Sequence, residues 1–254
     1  DLLITVDNGI SSHEGVDLGG GRIMKKKITD HHLTTKETPK AEAVVNPNQL
    51  GCEFPSKALA GVGVAFYLLA NLSSHRSKLN KSVAKMTQYL DLVALGTYAD
   101  VASLDFNNRI LVDAGVKRIQ SSQCRSGILA LLDIAGRDPK DLKAQDLGFV
   151  IGPRMNAAGR MDTMDIGIEC LLAEDMQIAY GLAEQLNDLN LDQEQLPSAL
   201  IMFEEHWHQG LIGIVAGRLK DQFHRPSIVF AADKDGIHIK GSARSIEGIH
   251  IRDS

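Results

Sequence analysis

The apolar run Leu2-Leu3-Ile4-Thr5-Val6 stops at Asp7-Asn8-Gly9, and this pairing of a strand with a turn limits the available folds more than any other feature. An unbroken apolar run of this length reads as a buried strand, and Asp-Asn-Gly as the turn that ends it. Residues 22–29 give a second strand, interrupted by Lys25-Lys26-Lys27 where a central parallel strand is normally apolar throughout. Ala43-Val44-Val45, closed by Asn46-Pro47-Asn48, gives a third. From Lys57 to Leu72 the pattern becomes helical and apolar nearly all round, with Gly61 and Gly63 allowing close packing. Residues 81–96, 107–120 and 126–135 read as three more helices. Strands first and helices after, with short connections, predict an α/β domain whose parallel sheet is covered by helices.

Gly152 to Arg160 is rich in turn formers and breaks the helical pattern. Asp165 to Leu191 then reads as one or two amphipathic helices with an acidic outer face. Beyond them Ser198–Phe203 is a strand, Leu211–Phe223 a helix, and Ser227–Ala231 and Ile237–Ser242 two more strands. The expected organisation is a larger α/β domain over residues 1–164, a helical connector over 165–196, and a second, smaller α/β domain over 197–254.

Composition narrows the function classes. The chain has 254 residues, 44% hydrophobic and 23% charged, with ample apolar content for a core. No stretch approaches the ~18 consecutive apolar residues of a membrane span. The three cysteines are widely spaced with no Cys-x-x-Cys pair, which argues against a zinc ribbon or disulfide scaffold and places the chain in a reducing cytoplasm. A formal charge of −5 means that phosphates would be bound by a local site or through metal ions, not by bulk charge. The chain opens within a strand-like run and stops at Arg252-Asp253-Ser254, where an Asp or Ser would ordinarily begin a helix. It therefore reads as a piece of a longer chain.

Acidic and histidine residues stand where α/β proteins place their sites. Asp7 follows the first strand directly, Asp30-His31-His32 follows the second, and Asp100 ends an apolar helix. The carboxyl ends of neighbouring parallel strands open on one crevice, where Asp7 and the Asp30–His32 triplet could meet. Carboxylates mixed with imidazoles suit Mn²⁺ or Mg²⁺ better than structural zinc. Two such ions would clamp a phosphoryl group and generate hydroxide for in-line attack. The alternative for each is ordinary turn chemistry. Arg154 and Arg160, in a loop of small residues, could grip phosphates bidentately or simply pair with surface acids. Ser242 and Arg244, at a strand end, have similar chemistry. His206-Trp207-His208 offers too few ligands for zinc and reads as domain packing. Asp105 and Arg109 read as a helix cap and a surface ion pair.

Taken together, these stretches resemble the DHH phosphoesterase superfamily, and within it the single-stranded-DNA exonucleases. The resemblance rests on Val6–Ile10, Thr29–Leu33, Val45–Gln49, Phe54–Ala65, Ala94–Asp100, Asn107–Arg109, Gly152–Arg160, His208–Ala216 and Gly241–Ser245, in family order over almost the whole chain. It implies hydrolysis of single-stranded DNA from the 5′ end with Mn²⁺ or Mg²⁺, releasing mononucleotides in repair and recombination. By resemblance Asp7 bridges two metals, His31 and Asp100 complete one metal's shell, His32 faces the scissile phosphate and Asp30 orients its neighbours. Arg154 and Arg160 lie near the DNA backbone, while Ser242 and Arg244 hold a phosphate from the second, DHHA1-type domain. Single-stranded DNA is the implied partner, with a single-stranded-DNA-binding protein and a helicase, although no motif forms a docking surface for either.

The departures from the family carry expectations of their own. By the resemblance, an Asp-x-Asp strand should precede residue 1, a Gly-Gly-His motif should follow Ser254, and the family's OB-fold domain lies outside this stretch. Without the Asp-x-Asp carboxylates, at most one weakly held ion and impaired or absent activity are expected. The lysines of the second strand, a short linker at 191–198, and Ala243 in place of the usual glycine are further differences. Two other readings stand beside the nuclease. One is a DHH phosphoesterase acting on an oligoribonucleotide, cyclic dinucleotide or pyrophosphate; the other is a non-catalytic DNA- or protein-binding relative.

Overall fold

The computed structural model describes residues 2–12, 25–34, 38–160, 164–194, 197–204, 208–223, 225–233, 238–246 and 251. The chain divides into two compact units, Asp1–Gly152 and Pro153–Ser254.

In the first unit β1 (Leu2–Val6), β2 (Lys25–Thr29) and β3 (Ala43–Val45) form a parallel sheet in the order β1-β2-β3. The register pairs Val6 with Thr29 and Thr29 with Val45. Asp7, Asp30 and Asn46 therefore leave the sheet side by side, each the first residue past its strand. The Thr29 hydroxyl reinforces that row by donating to Thr5 O at 2.8 Å.

Two expectations about these strands fail. β1 is largely exposed rather than buried, with Leu2 at 51% and Val6 at 55%. It is one of the two edge strands and pairs only with β2 among the described residues. Lys25-Lys26-Lys27 does not interrupt β2 but forms most of it. Strand alternation sends Lys25 and Lys27 to solvent and buries Lys26, whose backbone N–H donates to the Glu42 carboxylate and whose carbonyl accepts from Glu42 N at 3.0 Å. That N–H holds the Glu42 carboxyl below its ordinary value.

Helices α1 (Gly61–Lys78), α2 (Leu90–Ala99), α3 (Phe106–Gln120) and α4 (Ser126–Ile134) follow. The first starts four residues later than expected, because the Lys57 carbonyl is taken by Asn48 Nδ2 at 3.1 Å and its ammonium by Pro47 O and Cys52 O. The second expected helix shrinks to a 3-10 turn over Met86–Tyr89 followed by α2. Leu59, Val64, Leu90, Val93 and Leu111 form one core cluster, with Phe54, Val62, Phe66 and Tyr67 packed against it. Each such side chain contributes roughly 1.5–3 kcal/mol of burial.

Buried Asp91, in the first turn of α2, meets Arg125 Nη1 at 2.8 Å and accepts from Arg125 N at 3.0 Å. This pair ties the start of α2 to the start of α4, and α2 delivers Asp100 at its other end. α3 is capped by Asp105, whose Oδ1 accepts from Asn108 N at 2.8 Å while Oδ2 accepts from Ser56 Oγ at 2.6 Å.

A π-helical stretch over Leu147–Ile151 runs into α5 (Gly152–Arg160), which was expected to be a turn-rich loop. Gly152 is right-handed helical (φ −51°, ψ −48°) with its N–H bonded to Leu147 O, so the helical run passes through it, and Pro153 follows directly on the π turn. Buried Met155, Ala157 and Ala158 supply the helix with its apolar face.

The second unit continues with α6 (Met164–Leu172) and α7 (Met176–Glu194). β4 (Leu200–Glu204) pairs parallel with β5 (Ser227–Ala232), and β5 pairs antiparallel with β6 (Ile239–Arg244). Helix α8 (Ile212–Phe223) connects β4 to β5 and packs Ile212 and Ala216 against Val229 and Ala231. His206 and Trp207 lie outside the described residues. The fold is thus α/β, and no described helix is long and apolar enough to cross a membrane.

Candidate functional site

The common row at the end of the first sheet brings the acidic and imidazole side chains together. Asp30, 1% exposed, is held from four directions. Oδ2 accepts from Ile10 N at 2.9 Å, and Oδ1 accepts from His31 N at 2.7 Å, His32 N at 3.1 Å and His32 Nδ1 at 2.7 Å. Burial pushes its carboxyl up, but these hydrogen bonds prevail and hold it below the usual carboxylate value. The bond to Asp30 raises His32 above the ordinary imidazole value against a smaller effect of burial, helped by the charges of Asp30, Asp7 and Asp100.

Asp7 and Asp100 flank His31. Asp7 Oδ1 stands 3.0 Å from His31 Nε2, and Asp100 Oδ2 stands 3.7 Å from Nδ1 on the other side of the ring. Burial raises the Asp100 carboxyl, His31 draws it back down, and the charge of Asp7 adds to the rise. Both aspartates sit at sharp turns. Asp7 takes a left-handed φ of 59°, and Asp100 precedes Val101 at φ 52°, a costly conformation for a β-branched residue. Val101 occupies the usual glycine position of a helix-ending motif, with Ala102 N donating to Thr97 O and Val101 N to Tyr98 O.

One ligand atom each from Asp7, His31 and His32 can be chosen so that all lie within 4.8 Å of one another, close enough to share a cation. Buried His31 Nε2 lies within 3.0 Å of a carboxylate oxygen yet has no aligned hydrogen-bond partner. Two such atoms converging without bonding to each other fit a divalent ion, and the oxygen-and-imidazole donor set suits Mn²⁺ or Mg²⁺. The expected set of Asp7, His31 and Asp100 differs from this trio by one member, since Asp100 faces the opposite ring nitrogen.

Sequence reasoning missed the residues that brace this corner. Asn46 Nδ2 donates to His32 O at 2.9 Å, and Asn48 Nδ2 donates to His31 O at 2.6 Å. Asn46 Oδ1 accepts from Asn48 N at 2.8 Å, so the two clamps are joined. Asn46-Pro47-Asn48 read as a strand-ending turn, and nothing local marks its side chains as supports for residues 14 or more positions away.

The expected phosphate-binding residues lie in the second unit. Half-buried Arg154, on α5, donates from Nε to Asn187 Oδ1 on α7 at 3.1 Å, an anchor that nothing in the sequence signalled. Arg160 is the last residue of α5, and its side chain lies outside what the structure describes. Arg244 ends β6 and donates from Nη1 to Ser242 Oγ at 3.0 Å and Ala243 O at 2.9 Å. His208 is exposed and accepts from Gly210 N through Nδ1 at 3.1 Å. Asp105 is the expected cap, whereas Arg109 donates to Leu104 O at 2.7 Å instead of forming the expected surface ion pair. Burial pushes the Cys124 thiol up to about 12 and that of Cys170 to about 11, so neither offers a thiolate at neutral pH.

Comparison with known proteins finds similar sequences and a similar fold. The profile of the DHH family, N-terminal domain, matches residues 1–97, and that of the DHHA1 domain matches residues 196–254. The single-stranded-DNA-specific exonuclease RecJ of Dickeya dadantii (strain 3937) is 48% identical over 282 residues, an alignment covering 100% of this chain and 49% of the relative. RecJ of Escherichia coli (strain K12) is 46% identical, covering 100% and 48%. Among solved structures, exonuclease RecJ bound to manganese superposes with a TM-score of 0.68 at 31% identity, covering 100% of this chain and 65% of that one. RecJ from Thermus thermophilus in complex with Mn²⁺ gives 0.66 at 32% identity, covering 98% and 38%. The chain spans about half the length of the curated relatives it matches.

Proposed function

We propose that this chain, which matches the DHH family N-terminal domain over residues 1–97 and the DHHA1 domain over residues 196–254, carries the phosphodiester-hydrolysing centre of a 5′→3′ single-stranded-DNA exonuclease that acts in DNA repair and recombination. The observation that carries this reading is the convergence of Asp7, His31 and Asp100 at the sheet's carboxyl edge beside the Asp30–His32 pair.

Asp7 and His31, whose facing atoms lie 3.0 Å apart, would hold a divalent ion, Mn²⁺ or Mg²⁺, the ions found in the related structures, while Asp100 faces Nδ1 on the far side of the His31 ring. When bound, such an ion supplies charge that polarises a phosphoryl oxygen and lets a water ionise near neutral pH. The protein's own groups do the rest. Asp30 fixes the His32 ring through Nδ1, leaving Nε2 to exchange a proton with the scissile phosphodiester. The backbone bonds to Asp30 keep that carboxylate ionised and the ring in one orientation. Arg154, Arg160, Ser242 and Arg244 would bind phosphates of the strand, the arginines bidentately. In domain terms, residues 1–164 form the DHH domain, 165–196 a connector and 197–254 the DHHA1 domain. A single-stranded-DNA-binding protein and a helicase would be its protein partners, in the cytoplasm.

The test compares wild-type chain with Asp7→Ala, measuring Mn²⁺ binding by electron paramagnetic resonance and mononucleotide release from a 5′-phosphorylated single strand. Binding at least about tenfold weaker in the variant is expected, and whatever Mn²⁺-dependent release the wild-type chain shows should be lost with it. A dinucleotide serves as the competing substrate, and preference for it would move the activity to small-molecule phosphoesterases. Mn²⁺ binding that ignores Asp7 would remove the metal reading.

A further inference from the structure

Two residues far apart in sequence meet at this centre in a contact that only glycine permits. Gly61 is the first residue of α1, and a Cβ placed on it would overlap Asp7 Oδ1 and stand 2.5 Å from Cγ and 2.7 Å from Cβ. Side-chain carbons do not approach other atoms below 3.0 Å, so even an alanine would displace the carboxylate.

The Asp7 carboxylate is 54% exposed and can be displaced toward solvent, but neither backbone can easily retreat. On one side Asp7 follows Val6, which is paired with Thr29; on the other, Ile10 N is bonded to Asp30 Oδ2. The turn between them is tight, with φ 59° at Asp7 and 117° at Gly9. Gly61 follows Leu59 and Ala60, both buried in the core, and the Ala58 carbonyl accepts from the buried Asn108 side chain at 2.7 Å. The arrangement also sets the Asp7 carboxylate against the N-terminal end of an 18-residue helix, where negative charge is favoured.

We propose that Gly61 is a positioning residue for Asp7: the absent side chain lets the carboxylate lie against α1 and reach 3.0 Å from His31 Nε2. The assignment rests on the reading of Asp7 as a metal ligand, and its role is steric. Alanine at a helix position is intrinsically more favourable than glycine, so any loss caused by Gly61→Ala must come from the contact itself.

Three variants of this chain test it: Gly61→Ala, Asp7→Gly and the double variant, each read by thermal melting and Mn²⁺ binding. Glycine suits the left-handed backbone at position 7, so Asp7→Gly removes the carboxylate without backbone strain. Gly61→Ala should weaken Mn²⁺ about tenfold or more and lower the melting temperature. In the Asp7→Gly background it should leave the melting temperature unchanged or raised. Gly181→Ala, on exposed α7 surface with no atom within 4 Å of the added carbon, should change neither readout for the worse.

If Gly61→Ala alone fails to fold, a folded double variant supports the contact and an unfolded one overturns it. Wild-type Mn²⁺ affinity in Gly61→Ala overturns the assignment while leaving the metal reading intact. A wild-type chain that binds no Mn²⁺ overturns the metal reading and this assignment with it.

Discussion

The acid–imidazole corner of the first unit and the basic positions of the second are built on different terms. Asp30 is bonded to three backbone N–H groups and an imidazole, and the loop carrying His31 and His32 is gripped by Asn46 and Asn48. Its side chains are part of the scaffold. Arg244 instead stands exposed at the end of a strand, its side chain bonded only within its own tripeptide among the contacts described. The difference follows from what each must do. Ligands for a small ion need fixed geometry, which only a buried hydrogen-bond network supplies. A group that meets a long, flexible polyanion needs charge and reach. Substitutions in the corner should therefore cost stability and site together, whereas substitution of exposed Arg244 should cost binding alone.

Asp30→Asn puts that contrast to its hardest test. The amide keeps one acceptor oxygen and replaces the other with a donor, leaving buried N–H groups of Ile10, His31 or His32 without a partner. Urea denaturation should show a loss of about 2–4 kcal/mol, with Mn²⁺ binding falling in parallel. A loss below about 1 kcal/mol would mean that the corner is not part of the framework. Asn48→Ala is milder, removing the bonds to His31 O and Lys57 O. Its expected cost is about 1–2 kcal/mol, again with weakened Mn²⁺ binding. Full stability with weakened metal would show that the clamp orients His31 without supporting the fold.

How much of this was legible in the sequence depended on range. The apolar run ending at Asp7, and Asp30-His31-His32 after the next strand, are local patterns, and the parallel rule that brings strand ends together carries them to one place. The lysines of β2 were misjudged because burial on both faces was assumed, whereas simple alternation leaves room for alternate charges. Gly152-Pro153 reads as a break because both residues disfavour a helix interior, yet the helix runs through them, with a π turn over Leu147–Ile151 immediately before Pro153. The contacts of Asn46, Asn48 and Gly61 were beyond reach, since each bonds or abuts a residue many positions away and no periodicity encodes that. The strain at Val101 was invisible for a related reason, because hydrogen bonds back to Thr97 and Tyr98 impose it on a residue with no preference for it.

The comparison turns finally on Arg244→Gln, where the smallest change in stability is expected. The position is exposed, and its bonds to Ser242 Oγ and Ala243 O lie on the surface. The unfolding free energy from urea denaturation should change by no more than about 0.5 kcal/mol, and Mn²⁺ binding should not change. If Arg244 meets a phosphate, single-stranded-DNA affinity should fall and its dependence on salt should flatten by about 0.7 in log–log slope, the counterions released by one phosphate contact. Lower affinity with the slope unchanged would point to a role in shaping the β6 end and not in meeting the strand. A clear loss of stability would break the contrast itself, because the basic site would then be as much a part of its fold as Asp30 is of its own.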